Sequence, residues 1–98
     1  MKENKFVLSK PVEFDGETIT ELDVDFDSLT GDDILAAERQ YNTEAAKTKD
    51  FAPVKELSKS YLVYIVARAS KQPAELFNKL SAKDFSKLTV EAQNFLLG

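Results

Sequence analysis

Near the N-terminus Phe6, Leu8, Val12 and Phe14 all occupy even positions, the two-residue repeat that places side chains on one face of an extended strand. Lys10 shares that face and Pro11 cannot donate to a ladder, so the pattern predicts an edge strand or two short pieces. Asp15-Gly16 comes next, a pair suited to a type I′ hairpin turn because both central residues must take positive φ. In the return stretch ETITELDVDF, Leu22, Val24 and Phe26 share a face while Ile19 is out of phase, which predicts a bulge near Thr20-Glu21. Asp23 and Asp25 then point to solvent because their neighbours point inward.

From LTGDDI onward the repeat becomes helical. Thr30 as N-cap, Asp33 as the carboxylate of a capping box, and Leu29 with Ile34 as a hydrophobic staple predict a helix start, with Asp32 and Asp33 facing the positive end of its dipole. The helix runs through DILAAERQY and frays near Asn42, followed by a loop at about 42–52. Pro53 then opens a helix VKELSKSYLVYIVARAS, apolar nearly all round at Tyr61–Ala67 and so a central element covered on more than one side. Arg68 near its end serves the helix C-terminus or a local carboxylate. Pro73 begins a short helix, PAELFNKL. LSAKDF repeats the earlier start signal, with staple residues Leu80 and Phe85, cap Ser81 and box residue Asp84. Phe85, Leu88, Ala92 and Phe95 continue it as an amphipathic face, as one helix or as two if Thr89 restarts it. The expected fold is α+β: an N-terminal β-hairpin or small antiparallel sheet over 1–28, then about four α-helices over 29–98, in a single domain.

Composition narrows what such a fold can do. The chain has 98 residues, 43% of them hydrophobic and 31% charged, an ordinary globular mix. With no histidine and no cysteine, the commonest general base, the commonest zinc ligands and every disulfide are missing. No apolar window is long enough to span a bilayer and the N-terminus has no signal-peptide core, so a cytoplasmic protein without membrane contact is expected. The net charge of −4 is polarised: residues 1–50 carry 13 acids and 6 bases, whereas residues 51–98 carry 4 acids and 7 bases. The acidic half disfavours nucleic acid, while opposite-signed halves suggest association between copies.

The run LDVDFDSLTGDD resembles the opening of a calcium loop, but an EF-hand beginning at Asp23 needs glycine and glutamate where Ser28 and Ile34 stand. No metal or other cofactor is expected. The acids Asp23, Asp25, Asp27, Asp32 and Asp33 are read as solvated strand face plus helix cap, or as a polar docking surface for the basic half of a neighbouring subunit. Carboxylates, lysines, tyrosines and hydroxyls on so short a chain offer little cleft for catalysis, and no enzyme is expected. The apolar residues expected to exceed what a small core buries are Tyr61, Tyr64, Phe95, Leu96 and Leu97, candidates for contact with a partner. Core positions with wet hydroxyls are the other reading of Tyr61 and Tyr64, and packing within the last helix that of Phe95.

The words VLSKPVEFDGETITELDVDF, LTGDDILAAER and YIVARASKQPAELFNKLSAKDFSKLTVEAQNFL together resemble the tail assembly chaperones of tailed bacteriophages, over nearly the whole chain. That resemblance implies a noncatalytic protein of the host bacterial cytoplasm, absent from the mature virion. Its partners would be the long helical tail tape-measure protein, which it binds and solubilises, and the tail-tube protein, whose subunits it helps recruit. Many proteins of that family occur also as a longer frameshifted form with a C-terminal extension, and this sequence would correspond to the shorter form. Self-association into a homo-oligomer would supply several weak sites along one client. The other reading from composition is a small acidic inhibitor, immunity-type or regulatory protein bound to one partner.

Overall fold

The computed structural model describes residues 5–48 and 59–98. Two antiparallel strands, β1 (Lys5–Phe14) and β2 (Glu17–Asp23), are followed by four helices: α1 (Gly31–Thr48), α2 (Lys59–Ser70), α3 (Ala74–Phe77) and α4 (Ala82–Leu97). The fold is α+β, as the change from a two-residue to a helical repeat predicts. Asp15 and Gly16 have φ of 53° and 81°, so the hairpin turn has the doubly positive geometry expected of that pair.

The bulge lies where the phase of Ile19 places it, but its surplus residues are on the other strand. Pairing passes from Val7↔Glu21 to Val12↔Ile19, so five steps along β1 match two along β2. Thr20 therefore faces the whole stretch Leu8–Pro11, which absorbs the proline and lets Lys10 swing out to solvent. The slack also allows Leu8 and Val12 to be buried on one strand with Leu22 on the other. Strand β2 ends at Asp23 rather than continuing to Phe26. There the Asp25 amide donates to the Ala69 carbonyl at 3.0 Å, tying the chain to the end of α2 before a short 3-10 turn at Phe26–Ser28. Asp25 is in consequence half-buried rather than fully solvated.

Helix α1 does not fray at Asn42 but continues to Thr48, which corrects the loop expected from residue 42. The signal for its second half is propensity rather than periodicity: Glu44, Ala45, Ala46 and Lys47 are strong helix formers. Thr43 Oγ1 bonds the Arg39 carbonyl at 3.0 Å and Lys47 pairs with Glu44 at 3.5 Å, both on an exposed surface. The expected start of the next helix at Pro53 lies outside the described residues. Helix α3 is shorter than PAELFNKL, with Pro73 as its extended N-cap, and the bonds Lys79 N to Leu76 O and Leu80 N to Phe77 O finish it as tight turns. Beyond Leu80 there is one helix, because the Thr89 hydroxyl bonds the Phe85 and Ser86 carbonyls behind it and leaves the helix intact.

Helix α2 lies at the centre. Eight of its residues are buried, and it packs against α1, α3, α4 and β2. Around Leu62 and Ile65 the core gathers Leu22 and Val24 from the hairpin side, Ala37 and Tyr41 from α1, Leu76 and Phe77 from α3, and Leu88 and Ala92 from α4.

The two start signals are used differently. Thr30 donates its amide to the Asp33 carboxylate at 2.9 Å, and Asp33 also receives Arg68 Nε and an Arg68 terminal nitrogen, each at 2.9 Å. The head of α1 is thereby clipped to the tail of α2, and Arg68 finds its local carboxylate. The Thr30 amide and the Arg68 side chain hold the Asp33 carboxyl below its ordinary value. At α4 only half of the expected box forms: Ser81 Oγ accepts the Asp84 amide at 3.2 Å, but the Asp84 carboxylate leaves its own helix. The Ser9 amide donates to both of its oxygens at 3.0 Å and the Lys10 amide to one at 3.4 Å. These amides belong to the bulge, which has no ladder partner for them. Asp84 is 1% exposed. Burial pushes its carboxyl up, but the Ser9 and Lys10 amides and the Ser81 and Ser9 hydroxyls outweigh that and leave it below the ordinary carboxylate value.

Replacing Asp84 with Asn puts an NH2 group against amides that need an acceptor and should cost about 2–3 kcal/mol in urea unfolding at neutral pH. Because folding lowers this pKa, its stabilisation is complete above the unfolded value, near 3.8, and is lost as pH falls through the folded value. The gap between wild type and Asp84→Asn should therefore narrow as pH falls below about 5. A gap independent of pH would mean that the carboxylate charge contributes nothing. At the hairpin, Gly16→Ala, forced to a φ of 81°, should lower stability by about 1 kcal/mol in the same assay.

Candidate functional site

The five candidate residues end in three different environments. Tyr61 is 1% exposed and packs edge-on against Tyr41 with ring centroids 5.9 Å apart, so its ring is core and is not presented to a partner in this fold. Its position on the first described turn of α2, the helix covered on most sides, accounts for that.

Tyr64 lies three residues on, nearly one turn along α2, and is half-buried. It lines an open groove of about 950 Å3 between the second half of α1, the start of α2 and α3, with Val63, Pro73 and Phe85 as apolar walls and Arg39 and Glu44 as polar ones. Burial first, then the nearby carboxylates of Glu44 and Glu75, raise the Tyr64 hydroxyl above its ordinary value. It stays protonated and remains a hydrogen-bond donor, an aromatic body with one polar end. The extension of α1 past Asn42 matters here, because Thr43 and Glu44 belong to the groove wall.

Phe95, Leu96 and Leu97 form the end of α4. Leu96 is half-buried against the core, whereas Phe95 and Leu97 are 41% and 58% exposed. Phe95 is supported from below by Phe26 of the 3-10 turn, ring centroids 5.4 Å apart and 24° from parallel. The structure thus joins Phe95 to Phe26, a residue the strand periodicity assigns to the hairpin core. Phe95 is not among the residues lining the Tyr64 groove. Val90, 47% exposed, is a further member of the α4 surface that sequence reading missed. Its signal is its place opposite Leu88 and Ala92 on the helix.

The acids do not assemble a cation site: among the described residues no group of three or more carboxylates is placed to hold a metal ion. Asp33 is committed to Thr30 and Arg68, and Asp84 to Ser9 and Lys10. No described helix is long and apolar enough to cross a membrane. The described surface thus offers an open groove of mixed polar and apolar lining beside Tyr64 and an exposed apolar end of α4.

No curated protein and no solved structure matches the chain. A family model described as "Phage tail assembly chaperone proteins, E, or 41 or 14" matches residues 5–97, from the first residue of β1 to the last of α4. The match takes in every described element, and the chain belongs to the phage tail assembly chaperone family.

Proposed function

We propose that this protein is a noncatalytic holder of the tail tape-measure protein, which it keeps soluble while tail-tube subunits are recruited around it. Family membership across residues 5–97 is the observation that carries this reading. The protein works in the cytoplasm of the host bacterium, is released as the tube polymerises and is left out of the finished virion. A long helical client exposes apolar stripes until its own assembly partners cover them, and a small protein with an aromatic-lined groove lowers the cost of that exposure by covering a stripe. The Tyr64 groove is our first candidate for this contact: it has apolar walls and a protonated hydroxyl for orientation. The exposed end of α4, with Phe95, Leu96 and Leu97, is the second.

Co-expression of the chain with the tape-measure protein encoded by the same genome tests the reading. The client should be soluble and should co-purify with several copies of the chain at both low and high salt, since apolar contacts are little screened. A client that stays insoluble, or a one-to-one complex that dissolves as salt rises, would overturn it in favour of a charge-driven binder of a single partner. Tyr64→Ala should weaken capture by roughly tenfold, the ordinary cost of truncating an aromatic anchor. Thermal unfolding of the variant should confirm that the fold persists.

A further inference from the structure

Three of the five large apolar side chains that are strongly exposed among the described residues, Val90, Phe95 and Leu97, lie on α4. At 100° per residue, Lys83, Lys87, Val90, Asn94 and Leu97 fall within about 80° of one another, on the side opposite Leu88 and Ala92. All five are exposed. Glu91 flanks this stripe on one edge, and Phe95 lies beyond it toward the core side, stacked on Phe26. The outer face of α4 is therefore polarised along its length: cationic in its first half, apolar and acidic in its second. Lys83, Lys87 and Glu91 enter no ion pair among the described residues.

A surface with that sequence of charges is complementary to itself when reversed. We infer that α4 is the contact between two copies of this chain, packed antiparallel across a two-fold axis near Thr89 and Val90. In that arrangement the flanking edge of one helix meets the same edge of the other, with the order of residues inverted. Lys87 then faces Glu91 of the partner subunit, the stem of Lys83 lies along the partner's Leu97, and the two Val90 side chains pack together near the axis. Each contact occurs twice, as two-fold symmetry requires. The ion pairs fix the register, and the exposed valines and leucines leave water. The pairing also sets the two helix dipoles side by side and antiparallel. A single helix pair stands at the low end of stable interfaces, which bury about 1,200–2,000 Å2, so the dimer exchanges and depends on concentration. The Tyr64 groove is lined from α1, α2 and α3 and only by Phe85 from α4, and it stays open to a client in both copies. The contact does not depend on the identity of that client.

Sedimentation equilibrium of the purified chain alone, over a range of concentrations and at low and high salt, tests this. A reversible monomer–dimer equilibrium that weakens with salt is expected. Lys87→Glu, at an exposed position and so expected to fold, should raise the dissociation constant by about tenfold or more by setting like charges against each other. The double change Lys87→Glu with Glu91→Lys should restore it, because the swapped charges meet again across the axis. Val90→Glu should leave the protein monomeric, with its far-ultraviolet circular dichroism unchanged. A monomer at all concentrations, or a dimer indifferent to both Lys87→Glu and Val90→Glu, would overturn the inference. So would a charge swap that fails to rescue. Because no client is present, the result is independent of the tape-measure experiment.

Discussion

Helix α2 is apolar around most of its circumference, and that one constraint organises the molecule. A helix of this kind cannot lie on a surface: each exposed face would leave side chains such as Leu62, Ile65 and Val66 in water, at about 1.5–3 kcal/mol apiece. Four other elements close around it, with α1 on one side, α4 and α3 on others, and the hairpin reaching it through β2. The two-stranded sheet has too few strands to be stable alone, and it persists because Leu8, Val12 and Leu22 share the core that α2 creates.

Polar contacts then decide how the layers meet. Two segments with the same local grammar, LTGDDI and LSAKDF, both start helices, yet their acids do different work. Asp33 stays within its own turn and adds Arg68 from α2. Asp84 abandons its turn for the amides of Ser9 and Lys10, which the bulge in β1 strands without partners. A buried carboxylate is costly unless several donors surround it, and a bulge with unpaired amides is costly unless an acceptor arrives. Each defect removes the other, and together they lock the hairpin to α4. The adjacent Lys10 is left outside, where the strand pattern alone would have set it inward.

These constraints leave the outside of the molecule available for association. The buried face of α4 is occupied by the core, which turns Val90 and Leu97 outward, and the turn at Phe26–Ser28 raises Phe26 under Phe95. The groove beside Tyr64 exists because α1 runs on past the point at which its apolar repeat ends. The chain belongs to the phage tail assembly chaperone family, and on our proposal these are the surfaces that meet its client. A holder of other chains needs apolar area that its own core does not consume, on a body stable enough to keep that area from collapsing inward.

The sequence by itself determined the class of fold, the hairpin turn, the start of α1 and of α4, and the central place of α2, because each rests on neighbours within a few residues. It also pointed to the family through short words spread along nearly the whole chain. The second half of α1 was legible only through propensity, since an exposed helix needs no apolar stripe. Which of Tyr61 and Tyr64 would be core and which would line a groove was not legible, because both lie on a helix that is apolar nearly all round. Only the tertiary structure decided that Tyr61 packs under Tyr41, that Phe95 rests on Phe26, and that Asp84 leaves its helix for β1. Those outcomes join residues up to 75 positions apart, and no local periodicity records which distant donor, ring or cavity will arrive beside a given side chain.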